Sequence, residues 1–403
     1  MAPAQLKPIV ESAGMSCLAT DLNAEIFAWT TTHSKVDNLL RFFFDEFLVD
    51  DVKVELFDLF KEVAEQILSW KPKIVGLSLF SYVSQSSAKW LAWFLKDNRE
   101  YAGINSLEWR ELSKDEMRSL PMPDYSEYYF DTYQKKVLPL TGSRGCVRKC
   151  TFCDYIANWK VFNWRTADDI YNEMQVQYQK YGIRYFKFQD SLTNGNMKEF
   201  VRLTEMLSAY NTANPDKSFR WSGYYIFREH NSKTEYEWEM VAESGADNLV
   251  VGIENLNQHI RYAIGKKFSN EAIDVHLAFA QKHKIRLQLL NIVGYVNETE
   301  DDINFIKQWL RDHTVYQDIL HLQFGGTLGI FPNTWLERNW EKLGLERTSD
   351  SPQGWINREI DSTPEKRARW AQEISKLGTN LGYSVADNLD NHYILEQMIN
   401  DKI

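Results

Sequence analysis

Cysteine is scarce in this chain of 403 residues. It contains four cysteines, and three of them fall between positions 146 and 153, which leaves only Cys17 elsewhere. A framework of several disulfides is therefore excluded, and the short spacings indicate metal or redox chemistry instead. Because only one cysteine lies outside the group, the chain cannot supply a second iron–sulfur cluster with its own set of cysteines.

Long apolar runs and excess positive charge are also missing. No stretch approaches the roughly 18 apolar residues of a membrane span, and residues 1–5 lack the apolar core of a secretion signal. The sequence therefore predicts a cytoplasmic protein with no membrane partner. The net charge of −10 is poorly suited to nonspecific binding of phosphate backbones, so we expect no nucleic-acid partner.

The cysteines that are present form one motif. Cys146, Cys150 and Cys153 have the spacing Cys-x-x-x-Cys-x-x-Cys, and Phe152 directly precedes the third. A structural zinc site needs four ligands, and no fourth Cys or His lies near this stretch in the sequence. Three thiolates suit a four-iron cluster that keeps one iron open for a small chelating ligand. A zinc knuckle is the structural alternative.

The stretch from Gly142 to Tyr155 resembles the signature of the radical S-adenosylmethionine (radical SAM) superfamily. The resemblance implies that the three cysteines hold a [4Fe-4S] cluster and that its open iron binds SAM. It also implies reductive cleavage of SAM to a 5′-deoxyadenosyl radical, which abstracts hydrogen from a substrate. The expected partners are an unidentified small-molecule or peptide substrate and a reductant such as flavodoxin or ferredoxin. Catalytic residues toward the substrate are unknown.

Strands and helices are predicted to alternate from Val137 onward. The strand candidates are residues 137–141, 185–189, 219–227, 248–254, 286–294 and 321–331. Such alternation predicts parallel βαβ units, and six repeats are too few for an eight-stranded barrel. The resemblance implies a radical SAM (β/α)6 partial TIM barrel. We therefore predict an α/β fold with this core over residues 137–340.

Three further segments are predicted around the core. Residues 1–105 form a small α/β unit, degenerate Rossmann-like, with strands at 23–29 and 73–81 and helices at 37–44, 56–68 and after Ser84. Residues 106–136 form an extended linker, and residues 341–403 a helical extension whose clear helix begins at Thr363 and Pro364.

The N-terminal unit resembles part of a cobalamin-binding domain, mainly over residues 72–94. It lacks that family's Asp-x-His-x-x-Gly motif and contains only three glycines. Cobalamin is therefore possible but disfavoured, and His33 has little support as a cobalt ligand. Among radical SAM proteins, the chain most resembles the cobalamin-domain-linked group that includes anaerobic magnesium-protoporphyrin cyclase-like proteins, with a shortened N-terminal domain.

Polar residues at the predicted strand ends are the candidate SAM contacts, because chemistry sits at the carboxyl ends of barrel strands. Gln189 and Asp190 match positions that contact the methionine amino group, although Asp190 could instead cap the next helix. Ser222 and Arg228 match ribose and carboxylate contacts; a surface ion pair is the alternative for Arg228.

Two later strand ends complete the candidate site. Glu254 matches an acid that accepts hydrogen bonds from the SAM ribose, and Ile292 would border the adenine. Lys266 matches a lysine that often follows this acid in the family. The positive charges of Arg144, Arg148 and Lys149 are expected to lower the thiol pKa values.

The leading hypothesis is a radical SAM enzyme with one [4Fe-4S] cluster. One alternative is a cobalamin-dependent radical SAM methyltransferase, which needs a cobalamin site in the N-terminal unit. The other is a non-catalytic iron–sulfur accessory protein that has kept the fold.

Overall fold

The computed structural model describes residues 2–19, 61–72, 75, 112–128, 130–132 and 135–386. The predicted strand 23–29, the helices at 37–44 and after Ser84, His33 and nearly all of the strand 73–81 lie outside these residues. So does most of the cobalamin-like stretch. Of the predicted helix 56–68, the part from residue 61 is described, and residues 61–69 are helical.

The chain divides into two compact units. One consists of Met1–Arg110 and Leu120–Lys136, the other of Glu111–Ser119 and Val137–Ile403. In the first unit, the helix Ala2–Ser12 contacts part of the predicted linker. The buried Lys7 Nζ lies 2.7 Å from Glu127 Oε1 and 3.3 Å from Asp124 Oδ2. The predicted four-segment division of the chain stays a prediction.

A seven-stranded parallel sheet forms the centre of the second unit, and each strand lies beside the sheet strand that precedes it in the chain. They are β1 (Val137–Leu140), β2 (Tyr185–Phe188), β3 (Arg220–Tyr225), β4 (Ala246–Glu254), β5 (Arg286–Val293), β6 (Leu320–Thr327) and β7 (Ser384–Ala386). The first six confirm the predicted strands, with bounds that shift by a few residues. The partial-barrel fold class is therefore confirmed.

Strand β7 was not predicted. It lies in the extension that was expected to be helical, and it pairs in parallel with β6, with Ser384 opposite His321. Three residues are too few for an alternating or apolar pattern to be recognised in a sequence.

Six long helices connect these strands. They are α1 (Ala167–Tyr181), α2 (Met197–Ala213), α3 (Thr234–Glu243), α4 (Asn270–Lys282), α5 (Glu300–Asp312) and α6 (Pro364–Asn380). The Thr166 side chain caps α1 in a reciprocal box with Asp169, and Thr363 caps α6 as predicted. Short helices lie at Lys114–Arg118, Tyr155–Asn158, Gln258–Ile264 and Trp335–Arg338.

Each long helix buries an apolar stripe. One residue from each has no exposed surface: Met174, Leu207, Val241, Leu277, Leu310 and Ile374. Full burial of such a side chain contributes about 1.5–3 kcal/mol, which explains why the helices stay packed on the sheet. No helix among the described residues is long and apolar enough to cross a membrane.

The C-terminal extension is tied to the core by buried polar groups. A hairpin of Leu345–Arg347 and Trp355–Asn357 precedes α6, and Trp355 Nε1 donates to the Leu328 carbonyl at 3.0 Å. The guanidinium of the fully buried Arg367 lies 3.6 Å from the centre of the Trp355 ring and donates to the Gln353 carbonyl at 2.7 Å.

Candidate functional site

The segment from Gly142 to Tyr155, called the cysteine loop below, follows β1 at the carboxyl edge of the sheet. The chain turns at Gly145, whose φ of +87° is in the left-handed region. A Cβ there would lie 2.2 Å from the Val161 carbonyl oxygen, so only glycine fits. This turn sets the direction in which the chain enters Cys146.

Thr151 fixes the second half of the cysteine loop. Its amide donates to the Ile264 carbonyl at 3.0 Å, and its carbonyl accepts from the Leu336 amide at 3.1 Å. Its hydroxyl lies 2.7 Å from the Tyr295 hydroxyl. Residues that follow β4, β5 and β6 thus all hold the segment between Cys150 and Cys153. Sequence reasoning missed Tyr295 and Thr151, because no local pattern shows that they meet.

Two of the thiols are strongly affected by burial. Burial raises the pKa of Cys150 to about 12, and it also raises the pKa of Cys153, although the Ile156 and Tyr155 amides oppose it. The expectation of lowered thiol pKa values is therefore wrong for these two cysteines. The strongest opposing charge on Cys150 is Lys266, far away in the sequence. Removing these protons must accompany metal binding.

The donor set nevertheless suits an iron–sulfur cluster. The three thiols influence one another electrostatically, and the Cys146 sulfur accepts a hydrogen bond from the Arg148 backbone amide at 3.4 Å. Among the described residues, no three His, Cys, Asp or Glu side chains are close enough together to hold one metal ion. Thiolates are the usual ligands of iron–sulfur clusters.

Strand β4 ends in a strained acidic residue. Glu254 has a φ of +65°, which is uncommon for any residue other than glycine and is enriched at functional sites. Its Oε1 lies 3.1 Å from Lys266 Nζ, and that ammonium also donates to the Gly252 carbonyl at 2.9 Å. The predicted acid therefore lies at the strand end in a fixed orientation.

A second buried acid organises the loop after β5. Glu298 has no exposed surface, and its carboxylate accepts from the Asn255 side chain at 2.6 Å and from the amides of Gly294 and Tyr295. Because Asn255 follows Glu254, this carboxylate joins the ends of β4 and β5. Burial raises its pKa to about 7 despite these donors.

Glu298 should make stability depend on pH. Because the folded-state pKa of about 7 lies above the usual 4.5, the folded state binds more protons between these values, and rising pH removes stability. The free energy of unfolding of the wild type should fall relative to that of Glu298→Gln by on the order of 3 kcal/mol between pH 4.5 and pH 7. Urea titrations of both proteins across this range measure the difference, in which other shared groups cancel. A difference that does not change with pH contradicts the assignment.

Gln189 and Asp190 have different surroundings at the end of β2. The Gln189 side chain is exposed, while its amide donates to the Leu140 carbonyl at 2.8 Å. Asp190 is buried, and its Oδ1 accepts from the Gly142 amide at 2.8 Å; burial raises its pKa to about 6. Its alternative as a helix cap is wrong, because Asn196 caps α2. Asp190 instead supports the start of the cysteine loop.

Ser222 and Arg228 follow different courses. Ser222 lies three residues before the carboxyl end of β3 and bonds with the hydroxyl of Tyr185, the first residue of β2. The structure does not bring it to the other candidates. Arg228 lies beyond the strand end, where its Nη2 donates to the Asn194 carbonyl at 2.6 Å.

The surroundings of Arg228 contradict a surface ion pair. Its side chain is half-buried against a carbonyl and a methionine sulfur, and burial together with the nearby Arg148 lowers its pKa. Among the residues that the structure describes, the buried Nε of Arg148 has no hydrogen-bond partner. Two close guanidinium groups, one with an unused donor, suit an anionic group such as a carboxylate.

An apolar cluster lies against two of the cysteines. Cys150 belongs to it, and Phe152, Cys153 and Ile292 pack against it at its edge. The other members come mainly from the loops after β4, β5 and β6 and from the C-terminal extension. This cluster places Phe152 and Ile292 beside the cysteine loop, as a nucleoside site on that loop would require.

A family model described as the radical SAM superfamily matches residues 140–310. No curated protein matches. Among solved structures, the chain is similar to the radical SAM methyltransferase TsrM from Kitasatospora setae, with 16% identity over 65% of this chain and 55% of that chain and a TM-score of 0.47.

Two further structures are similar to the chain. The cobalamin-dependent SAM radical enzyme OxsB has 13% identity over 72% of this chain and 49% of that chain, with a TM-score of 0.48. Coproporphyrinogen III oxidase (HemN) from Escherichia coli has 13% identity over 61% of this chain and 53% of that chain, with a TM-score of 0.41. The chain thus spans about half the length of these proteins.

The fold and site define a class: open α/β barrels whose first βα loop carries three cysteines. The family match over residues 140–310 supports the radical SAM superfamily for this part of the chain. This family implies a [4Fe-4S] cluster and SAM as cofactors. The finer grouping with magnesium-protoporphyrin cyclase-like proteins is not confirmed.

Proposed function

We propose that the protein is a radical SAM enzyme that cleaves SAM reductively and abstracts hydrogen from a substrate. The observation that carries the proposal is the cysteine loop at the end of β1, fixed through Thr151 by the loops after β4, β5 and β6. When bound, the cluster and SAM supply an electron and a 5′-deoxyadenosyl radical. The following assignments concern what the protein's own residues do.

Cys146, Cys150 and Cys153 would hold the cluster. The hydrogen bonds of Thr151 keep the loop in one conformation, which lowers the entropy cost of gathering three ligands. The apolar cluster around Cys150 and Cys153 excludes water from one side of the site. Exclusion of water protects a reactive species from side reactions.

Glu254 and Ile292 would bind the nucleoside part of SAM. Lys266 holds one carboxylate oxygen of Glu254, so the other is left in a defined orientation to accept hydrogen bonds from ribose hydroxyls. Ile292 is half-buried at the edge of the apolar cluster and offers an apolar surface to the adenine.

Gln189 and Arg228 would bind the methionine part. The exposed carboxamide of Gln189 at the end of β2 can accept a hydrogen bond from an amino group. The guanidinium of Arg228, together with Arg148, can hold a carboxylate. Asp190 would act indirectly, through the Gly142 amide at the start of the cysteine loop. Ser222 has no such support from its position.

The remaining parts of the proposal concern partners and location. We expect a small-molecule or peptide substrate, a cytoplasmic location, and a flavodoxin- or ferredoxin-type reductant. The cobalamin-dependent methyltransferase stays the enzymatic alternative. Corrinoid that copurifies with the protein would favour it.

The test is made without oxygen. The protein is reconstituted with iron and sulfide, reduced, mixed with SAM, and analysed for 5′-deoxyadenosine by mass spectrometry. We expect a cluster signal and nucleoside that require both SAM and reductant. A protein that binds zinc and forms no cluster contradicts the proposal. A reducible cluster with no nucleoside under any substrate condition favours the accessory-protein alternative.

A further inference from the structure

Lys266 is a buried lysine that the backbone directs into the site. The helix Gln258–Ile264 ends at Gly265, whose φ is +102°, and the next residue, Lys266, is only 8% exposed. A Cβ at Gly265 would lie 3.2 Å from the Lys149 carbonyl oxygen, so this turn runs against the cysteine loop. The turn at Gly265 thus places the charged Lys266 side chain in the interior.

Space for this charge is made by the adjacent strand. A Cβ at Gly252 would lie 2.5 Å from Glu254 Oε1 and 3.0 Å from Lys266 Nζ. The ammonium donates to the Gly252 carbonyl and the Glu254 carboxylate, and it has three protons to donate. One donor is therefore left for a further group.

The cysteine loop lies within the electrostatic reach of Lys266. A Cβ at Gly265, the residue before Lys266, would lie 3.6 Å from the Cys150 Cα, and the Thr151 amide donates to the Ile264 carbonyl at 3.0 Å. The turn that carries Lys266 therefore packs directly against the segment that holds Cys150. Lys266 and Glu254, which lie 3.1 Å apart, carry opposite charges, so they should have opposite effects on a charge bound by that segment.

We propose that Lys266 is a positioning residue that serves both cofactors at once. It orients the Glu254 carboxylate for the SAM ribose, and its positive charge stabilises the reduced, more negative state of the cluster bound by Cys150. This inference rests on the proposed function. Its physical basis is that a reduced cluster carries one more negative charge, and a buried cation acts on that charge with little screening.

The first experiment measures the reduction potential of the cluster by an EPR-monitored redox titration. Lys266→Met should decrease the equilibrium constant for reduction at least tenfold, which for a one-electron couple is about 59 mV toward more negative potential. Lys266→Arg keeps the charge and should restore most of the wild-type value. Lys267→Met is the matched control, because Lys267 is the neighbouring residue and is exposed.

Glu254→Gln provides a test with the opposite sign. It removes the negative charge that compensates Lys266, so the potential should become more positive than that of the wild type. This variant also keeps the inference falsifiable if Lys266→Met does not fold. A purely structural role would shift both variants in the same direction or in neither.

The second experiment measures ligand affinity by equilibrium dialysis against the reconstituted protein. Lys266→Met should weaken SAM binding at least tenfold and leave the binding of free methionine, which has no ribose, within threefold of the wild type. Equal potentials and equal SAM affinities in wild type and Lys266→Met overturn the inference. Failure of the proposed function is distinguishable, because the wild type itself would then form no cluster or yield no 5′-deoxyadenosine.

Discussion

Replacement of Cys150 by alanine is expected to abolish cluster assembly and 5′-deoxyadenosine formation. Of the three cysteines, Cys150 is the most buried, and it belongs to the apolar cluster. It also precedes Thr151, whose backbone is hydrogen-bonded to Ile264 and Leu336 in two other loops. Loss of one of three ligands leaves two thiolates, and even second-shell changes cost 10–100-fold in metal affinity. We therefore expect iron content and nucleoside yield to fall by more than about 100-fold.

Cys17→Ala is the matched control for this experiment. Cys17 is the fourth cysteine, lies in the first compact unit, and its thiol donates to the neighbouring Leu18 carbonyl at 3.8 Å. This variant should bind iron and form nucleoside like the wild type. Iron and sulfide analysis, the absorbance spectrum and mass spectrometry give the readouts. A Cys150→Ala protein that keeps its cluster and its nucleoside yield would show that the ligand set is different.

The sequence predicted those features that are specified locally. Six of the seven strands could be located because a strand buried on both faces is a continuous apolar run, and because helix caps such as Thr166 and Thr363 mark the boundaries. Parallel strands then bring their carboxyl ends to one edge. That rule alone brings the cysteine loop and Glu254 to the same edge of the sheet.

Features that depend on long-range contacts could not be predicted. The hydroxyl pair of Thr151 and Tyr295 joins residues 144 positions apart, and nothing near either residue indicates the other. The depth of Ser222 in the sheet is a second example. Its depth in the sheet depends on the register with the neighbouring strands, in which it lies opposite Lys187 and Asn248, rather than on the end of its own strand.

The electrostatic surroundings of the cysteines also could not be predicted from the sequence. Lysine and arginine residues that flank the cysteines suggested low thiol pKa values, yet burial raises the pKa of Cys150, and the strongest opposing charge comes from Lys266. Burial and spatial proximity determine pKa values, and neither can be read from neighbours in the chain. Likewise, Asp190 binds a backbone amide at the end of β1 and does not begin the next helix.

Within the cysteine loop, Gly145→Ala is the backbone change with the largest expected effect. Alanine at a φ of +87° costs about 1–2 kcal/mol in backbone strain. Its Cβ would also lie 2.2 Å from the Val161 carbonyl oxygen, and a backbone atom cannot rotate away as a flexible side chain can. We expect a total cost of about 2–5 kcal/mol, most of it relieved by displacement of the cysteine loop. Iron and sulfide content per chain should then fall at least tenfold, which chemical analysis after reconstitution measures.

Gly182→Ala separates backbone strain from displacement of the loop. Gly182 also has a positive φ, +69°, at the end of α1, but a Cβ there would meet no atom within 4 Å. This variant should therefore lose only about 1 kcal/mol of stability and bind a full cluster. If Gly145→Ala binds as much iron as Gly182→Ala at equal folded fraction, measured by circular dichroism, the conformation of the first turn does not control the cysteine ligands. A selective loss of iron in Gly145→Ala means that this one backbone turn determines whether Cys146 can reach the cluster.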